Sequence, residues 1–245
     1  MLWNSWTVFA IGLTLFMGCA KLWGPLGSRW SSALVASDDP ELNQQLARTG
    51  ITPADLLAFL HPAFPLTYSS HPGGEVNFLT RRMHLSHDTQ TSRLSAFIRI
   101  AHETIHVRQG QRWPGYTRIQ SMAGLGGTLA AMALGVALAL HVEVVARLAA
   151  FLAIVGLGYH LPWHVRLETE AVLDTPALLD AFWNTMDPAT LPADLRQSLQ
   201  QKVLAYTQDT VLSYPPRATD GVLIAALLTA WSGLIVQIIQ ILFHV

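Results

Sequence analysis

The chain has 245 residues, of which 51% are hydrophobic and 13% charged. Soluble domains carry about a quarter charged residues, so this composition points to a protein in contact with lipid. The net charge of −1 gives no general basis for nucleic-acid binding, and a single cysteine, Cys19, excludes both an intramolecular disulfide and any C-x-x-C metal or redox motif.

In chain order, four apolar runs are long enough to cross a bilayer, which takes about 20 helical residues. They cover residues 6–23, 122–140, 144–163 and 222–243. The second carries Gly124, Gly126 and Gly127, small residues suited to close helix contact. The first begins without the positive n-region of a cleaved signal, so it is expected to be an anchoring helix. Of the 15 Lys and Arg, all but Arg147 lie in the long segments 21–118 and 166–217. The positive-inside tendency therefore puts both segments in the cytoplasm and both termini outside.

The organisation expected is a first transmembrane helix (1–26), a polar segment (27–118), a transmembrane hairpin (119–165), a helical segment (166–218) and a last transmembrane helix (219–245). Within the polar segment, Asp38-Asp39-Pro40-Glu41 and Thr52-Pro53-Ala54-Asp55 read as helix starts, and Gly50 suits the end of the earlier helix. Residues 61–74, rich in Pro, Ser and Gly, read as loop. Residues 75–79 and 83–86 alternate as a short hairpin. Ser92 is placed to cap a helix that buries Leu94, Phe97, Ile98, Ala101 and Ile105 and ends near Gly110. Beyond the third span, residues 167–184 and 193–209 read as two amphipathic helices.

That capped helix carries the most informative residues of the chain, His102-Glu103-Thr104-Ile105-His106. At i and i+4 two histidines stack on one helical face, where both imidazoles can reach one tetrahedral metal. Glu103, one residue round the turn, can serve a metal-activated water as general base. With a single cysteine and no C-x-x-C motif, further protein ligands are expected to be histidine or carboxylate. A hairpin of spans returns the chain to the side it left, which brings back Arg166-Leu167-Glu168-Thr169-Glu170-Ala171. Spacing alone leaves Glu168, Glu170 and His164 open as the third ligand.

The stretch 101–109, Ala-His-Glu-Thr-Ile-His-Val-Arg-Gln, resembles the A-H-E-x-G-H-A-x-Q of the YugP-type neutral zinc metallopeptidases of bacterial membranes. The preceding His84-Leu85-Ser86 is similar to that family's short strand ending in Leu-Ser. The following hairpin leads into Leu161-Pro162-Trp163-His164-Val165-Arg166-Leu167-Glu168, similar to its L-P-V-E-F-x-A segment. Ile105 stands where the family has Gly, and the Ser-Arg-Arg run after Ala171 is missing. The resemblance implies a mainly α, polytopic membrane protein with four transmembrane helices and a zincin-like region carrying a small β-hairpin. It also implies a bacterial cytoplasmic (inner) membrane location, where the charge bias puts the active site on the cytoplasmic side. Because the family's Glu precedes Ala by three residues, it selects Glu168 as the third ligand of a gluzincin-like Zn2+ site with His102 and His106.

The activity implied is zinc-dependent endopeptidase cleavage of a protein or peptide substrate, with Glu103 as base. Gln109 is placed to support the metal ligands, and Tyr159, His160 and His164 are candidate donors to the transition state. The strand near 83–86 could pair with an extended substrate backbone. A non-catalytic membrane adaptor with a structural or vestigial zinc is the alternative. An intramembrane protease would bury the motif in an apolar span, whereas Arg99, Arg108, Gln109, Gln111 and Arg112 surround it here.

Overall fold

The computed structural model describes residues 39–70, 74–211 and 214–243. The expected first span lies outside these residues. Those described divide into two compact units, one of residues 119–165 with 215–243, the other of residues 39–118 with 166–214.

The second unit starts with α1 (Pro40–Arg48), whose first amides, Glu41 N–H and Leu42 N–H, donate to Asp39 Oδ1 at 3.0 and 3.3 Å. Gly50 follows in the left-handed region at φ +73°, where a side chain would be strained. α2 (Pro53–Leu60) opens with a reciprocal capping box: Asp55 N–H donates to Thr52 Oγ1, and Thr52 N–H donates to Asp55 Oδ2 at 2.8 Å.

Next come three strands, β1 (Leu66–Ser69), β2 (Gly74–Asn77) and β3 (Arg82–Ser86), in the order β1-β3-β2. β2 and β3 form the expected antiparallel hairpin, turned by Asn77, whose Oδ1 accepts Leu79 N–H and Thr80 N–H. The stretch read as loop contains a strand, because β1 finds a parallel partner in β3, with Leu66 opposite Met83 and Ser69 opposite Ser86. Both edges of β3 are therefore filled, so this strand has no hydrogen-bonding edge left for a substrate. β2 and β1 end the sheet.

α3 (Leu94–Arg112) is enclosed on nearly all sides: Leu94, Phe97, Ile98 and Ala101 are buried, and so are Thr104, His102 and Glu103. Ser92 does not cap it. Arg93 precedes the helix in extended conformation, and Leu94 N–H donates to Asn43 Oδ1 of α1 at 2.9 Å. A side chain 51 residues earlier thus satisfies an amide that the local sequence leaves free.

The third span and the helix expected after it are one helix, α5 (Glu143–Trp183). The polarity change after Trp163 alters which residues are apolar but not the backbone. The far end of α5 supplies Leu179, Phe182 and Trp183 to the core, where Phe182 packs on Phe97 and Phe59 at ring separations of 6.3 and 5.5 Å. α6 (Ala193–Val211) closes this core with Leu195, Leu199 and Val203.

In the other unit run most of α4 (Pro114–Ala139), the first part of α5 and most of α7 (Tyr214–Phe243). All three helices are long and apolar enough to cross a membrane. Val144, Phe151, Ile154 and Ile241 stand exposed on them, as lipid-facing residues do. Small residues bring the backbones together. A Cβ on Gly127 would lie 2.9 Å from Leu157 N, and one on Gly156 would lie 2.7 Å from Ala123 O. Gly124 lies against His160, whereas Gly126 faces open space and takes no part in close contact.

Candidate metal centre

α3 and α5 together build the centre. The i, i+4 spacing stacks the His102 and His106 rings 4.7 Å apart and nearly perpendicular, with their Nε2 atoms 3.1 Å from each other. Glu168 of α5 completes the triangle: its Oε2 lies 3.3 Å from His102 Nε2 and its Oε1 3.3 Å from His106 Nε2. These three residues could hold a metal ion. The two histidines are buried, and the Glu168 side chain keeps 22% of its surface accessible. The other two candidates for third ligand make contacts of their own. Glu170 accepts from Arg166 Nε at 2.9 Å, and His164 stacks on His160 at 5.5 Å.

Gln109 fixes the orientation of one ligand. Its Nε2–H donates to the Leu167 carbonyl at 3.0 Å, so its Oε1 accepts from His106 Nδ1–H at 2.8 Å. In neutral imidazole that leaves the lone pair on Nε2, the atom facing Glu168. The same amide ties α3 to the residue immediately before Glu168. Phe78 meets the His106 ring edge-on at 6.3 Å. The Nδ1 atom of His102 is buried and has no hydrogen-bond partner among the described residues.

Glu103 is buried on α3 beside the cluster, and Gly74 at the start of β2 lies against it. A Cβ on Gly74 would come within 2.8 Å of Glu103 Cγ and 2.9 Å of Oε1. Only a glycine lets the strand approach the carboxylate this closely. Burial raises the Glu103 carboxyl above its ordinary value, against the pull of His102 and His106. Burial also works against the charged form of His106, but the Glu168 carboxylate, with Glu103 behind it, pushes this pKa up to about 9.

The remaining predicted residues are not among the three donors. His160 Nδ1 lies 2.9 Å from Gln120 Nε2, and Tyr159 packs near Trp163. Both belong to the unit of the spans, as does His164. Gly74, Phe78 and the Leu167 carbonyl are contributions that sequence reasoning missed. For Gly74 a signal existed, in the Gly-Gly pair just ahead of the alternating run. Family models, curated proteins and solved structures all return no match to this chain.

Proposed function

We propose that the chain is a membrane-anchored, zinc-dependent endopeptidase of the YugP type, with Glu103 as general base. The observation that carries this reading is the donor triangle. Zinc–nitrogen distances of about 2.0–2.1 Å at the tetrahedral angle give donor separations of about 3.3–3.4 Å. The two Nε2 atoms here are 3.1 Å apart, and each lies 3.3 Å from its own oxygen of Glu168, so one ion between them could meet both histidines and the carboxylate. Two imidazoles and one carboxylate are also a donor set of catalytic zinc, leaving a fourth position open. When bound, zinc supplies the positive charge that acidifies water and polarises a carbonyl.

The chain's own residues supply the rest of the chemistry. His102, His106 and Glu168 hold the ion, and Gln109 keeps His106 Nε2 turned towards it. Glu103 takes a proton from the attacking water and returns it to the leaving amine. Its raised pKa suits both halves of that exchange. β2, at the end of the sheet and against Glu103, takes the place first assigned to β3 as the strand beside which an extended substrate would lie. The donors fall in the unit that does not contain the apolar spans, which favours a water-exposed site over an intramembrane one. The clustering of Lys and Arg in 21–118 and 166–217 supports a cytoplasmic position for it.

Elemental analysis and proteolysis test this reading together. Detergent-purified wild type should carry about one zinc per chain, and His106→Ala and Glu168→Ala should lose it. Glu103→Gln should keep the zinc and lose roughly 10²–10⁴-fold in cleavage of an unfolded protein substrate. Zinc binding with no hydrolysis and no effect of Glu103→Gln would turn the reading into that of an adaptor.

A further inference from the structure

A cavity of about 420 Å³ opens between α3 and α5. This volume lies within the roughly 300–1,000 Å³ range of small-ligand sites. Arg108 and Arg112, one turn apart on α3, form one wall, and Glu170 and Asp174, one turn apart on α5, form the other. Ile105 and Leu178 give it an apolar lining between the charges.

Opposite charges arranged this way normally close into salt bridges. Here Glu170 is paired along its own helix with Arg166, while Arg108 and Asp174 have no ion-pair or hydrogen-bond partner among the described residues. The cavity keeps a cationic wall and an anionic wall apart. An occupant with a phosphate at one end and a primary ammonium at the other would satisfy both walls at once. A purely anionic ligand would leave Asp174 facing a like charge.

Position in the chain identifies the source of such a ligand. Trp113, which also lines the cavity, immediately precedes α4, and Arg166 lies three residues beyond the apolar run 144–163. Two guanidinium groups approach the Trp113 ring, Arg112 at 4.7 Å and Arg166 at 5.8 Å from its centre. Trp and Arg next to apolar spans are the residues that meet lipid headgroups. We propose that the cavity holds the headgroup of a phosphatidylethanolamine lipid, its phosphate on Arg108 and Arg112 and its ammonium on Asp174 and Glu170. This site does not depend on the peptidase reading, although Gln109 lines it and places it one side chain from His106.

The test is native mass spectrometry of the detergent-purified full chain, titrated separately with phosphatidylethanolamine, phosphatidylglycerol and phosphatidylcholine. Wild type should retain one phosphatidylethanolamine about tenfold more tightly than either other lipid, as expected for one or two charge-assisted hydrogen bonds. Arg108→Gln with Arg112→Gln should weaken it about tenfold or more. Asp174→Asn should reverse the preference, losing phosphatidylethanolamine and gaining phosphatidylglycerol, a change of sign that misfolding cannot imitate. Arg147→Gln, on the exposed start of α5, should change nothing. Equal retention of all three lipids in every variant would overturn the proposal. Complete displacement by millimolar free phosphoethanolamine would also overturn it, assigning the site to a soluble ligand.

Discussion

Loading the metal-free protein with zinc should release a proton, and the amount can be worked from the His106 environment. With its pKa at about 9, His106 is almost fully protonated at pH 7. Zinc binds neutral imidazole only, so its binding must displace that proton. Holding His106 neutral two units below its pKa costs about 2.7 kcal/mol, or roughly 100-fold in affinity. Zinc affinity should therefore rise about tenfold per pH unit between pH 7 and 9, then level off. Calorimetric titration of chelator-stripped protein, in buffers of different ionisation enthalpy, counts the protons directly. About one per zinc is expected at pH 7 and about half that at pH 9. In the metal-free protein, Glu168→Gln should lower the pKa of His106, read by NMR titration of its ring, since it removes the carboxylate that favours the imidazolium. An affinity independent of pH over this range, with no proton released by wild type, would refute the reasoning.

The same pair sets the stability of the metal-free chain. A folded-state pKa raised above 6.5 contributes stability that is complete below pH 6.5 and is lost as pH rises through about 9, so thermal melting of the stripped protein should fall across that interval. Gly74→Ala should keep its zinc but lose about 10–100-fold in activity, because the new Cβ displaces the Glu103 carboxylate; kinetics paired with metal analysis would separate the two effects. Gln109→Leu should weaken zinc binding by about 10–100-fold, read by competition with a chromogenic chelator, since His106 loses the acceptor that orients it. Asn43→Ala should destabilise the unit containing α3 by about 1 kcal/mol in denaturant unfolding, with metal affinity unchanged, because it removes the acceptor for Leu94 N–H, which lies outside the donor set.

What the sequence made legible was local. Asp39, Thr52 with Asp55, and His102 with His106 act across two to four residues, and each contact forms as the spacing requires. What was hidden depends on distant partners. Leu66–Ser69 has no strong strand pattern of its own and becomes a strand because β3 offers it a free edge. Ser92 was a reasonable cap by position, but Asn43 reaches the helix start first. Glu168 and Glu170 are two positions apart on one helix, so they point in different directions that cannot be ranked without knowing where α3 lies. The 3.3 Å contacts of Glu168 and the Arg166 pairing of Glu170 express that difference. Continuity of α5 was missed because hydropathy reports surroundings, not backbone.

The donor set also imposes an order on biogenesis. His102 and His106 are synthesised before the 119–165 hairpin, Glu168 only after it, and Gln109 must wait for the Leu167 carbonyl. At about 5–20 residues per second, the roughly sixty residues between His106 and Glu168 delay completion of the triangle by about 3–12 s. A nascent chain halted inside the hairpin carries the histidines and Glu103 but lacks the third donor. The three donors therefore come together only after both helices of the hairpin have been made, so the site is a late product of synthesis and a chain cut short before Glu168 cannot assemble it.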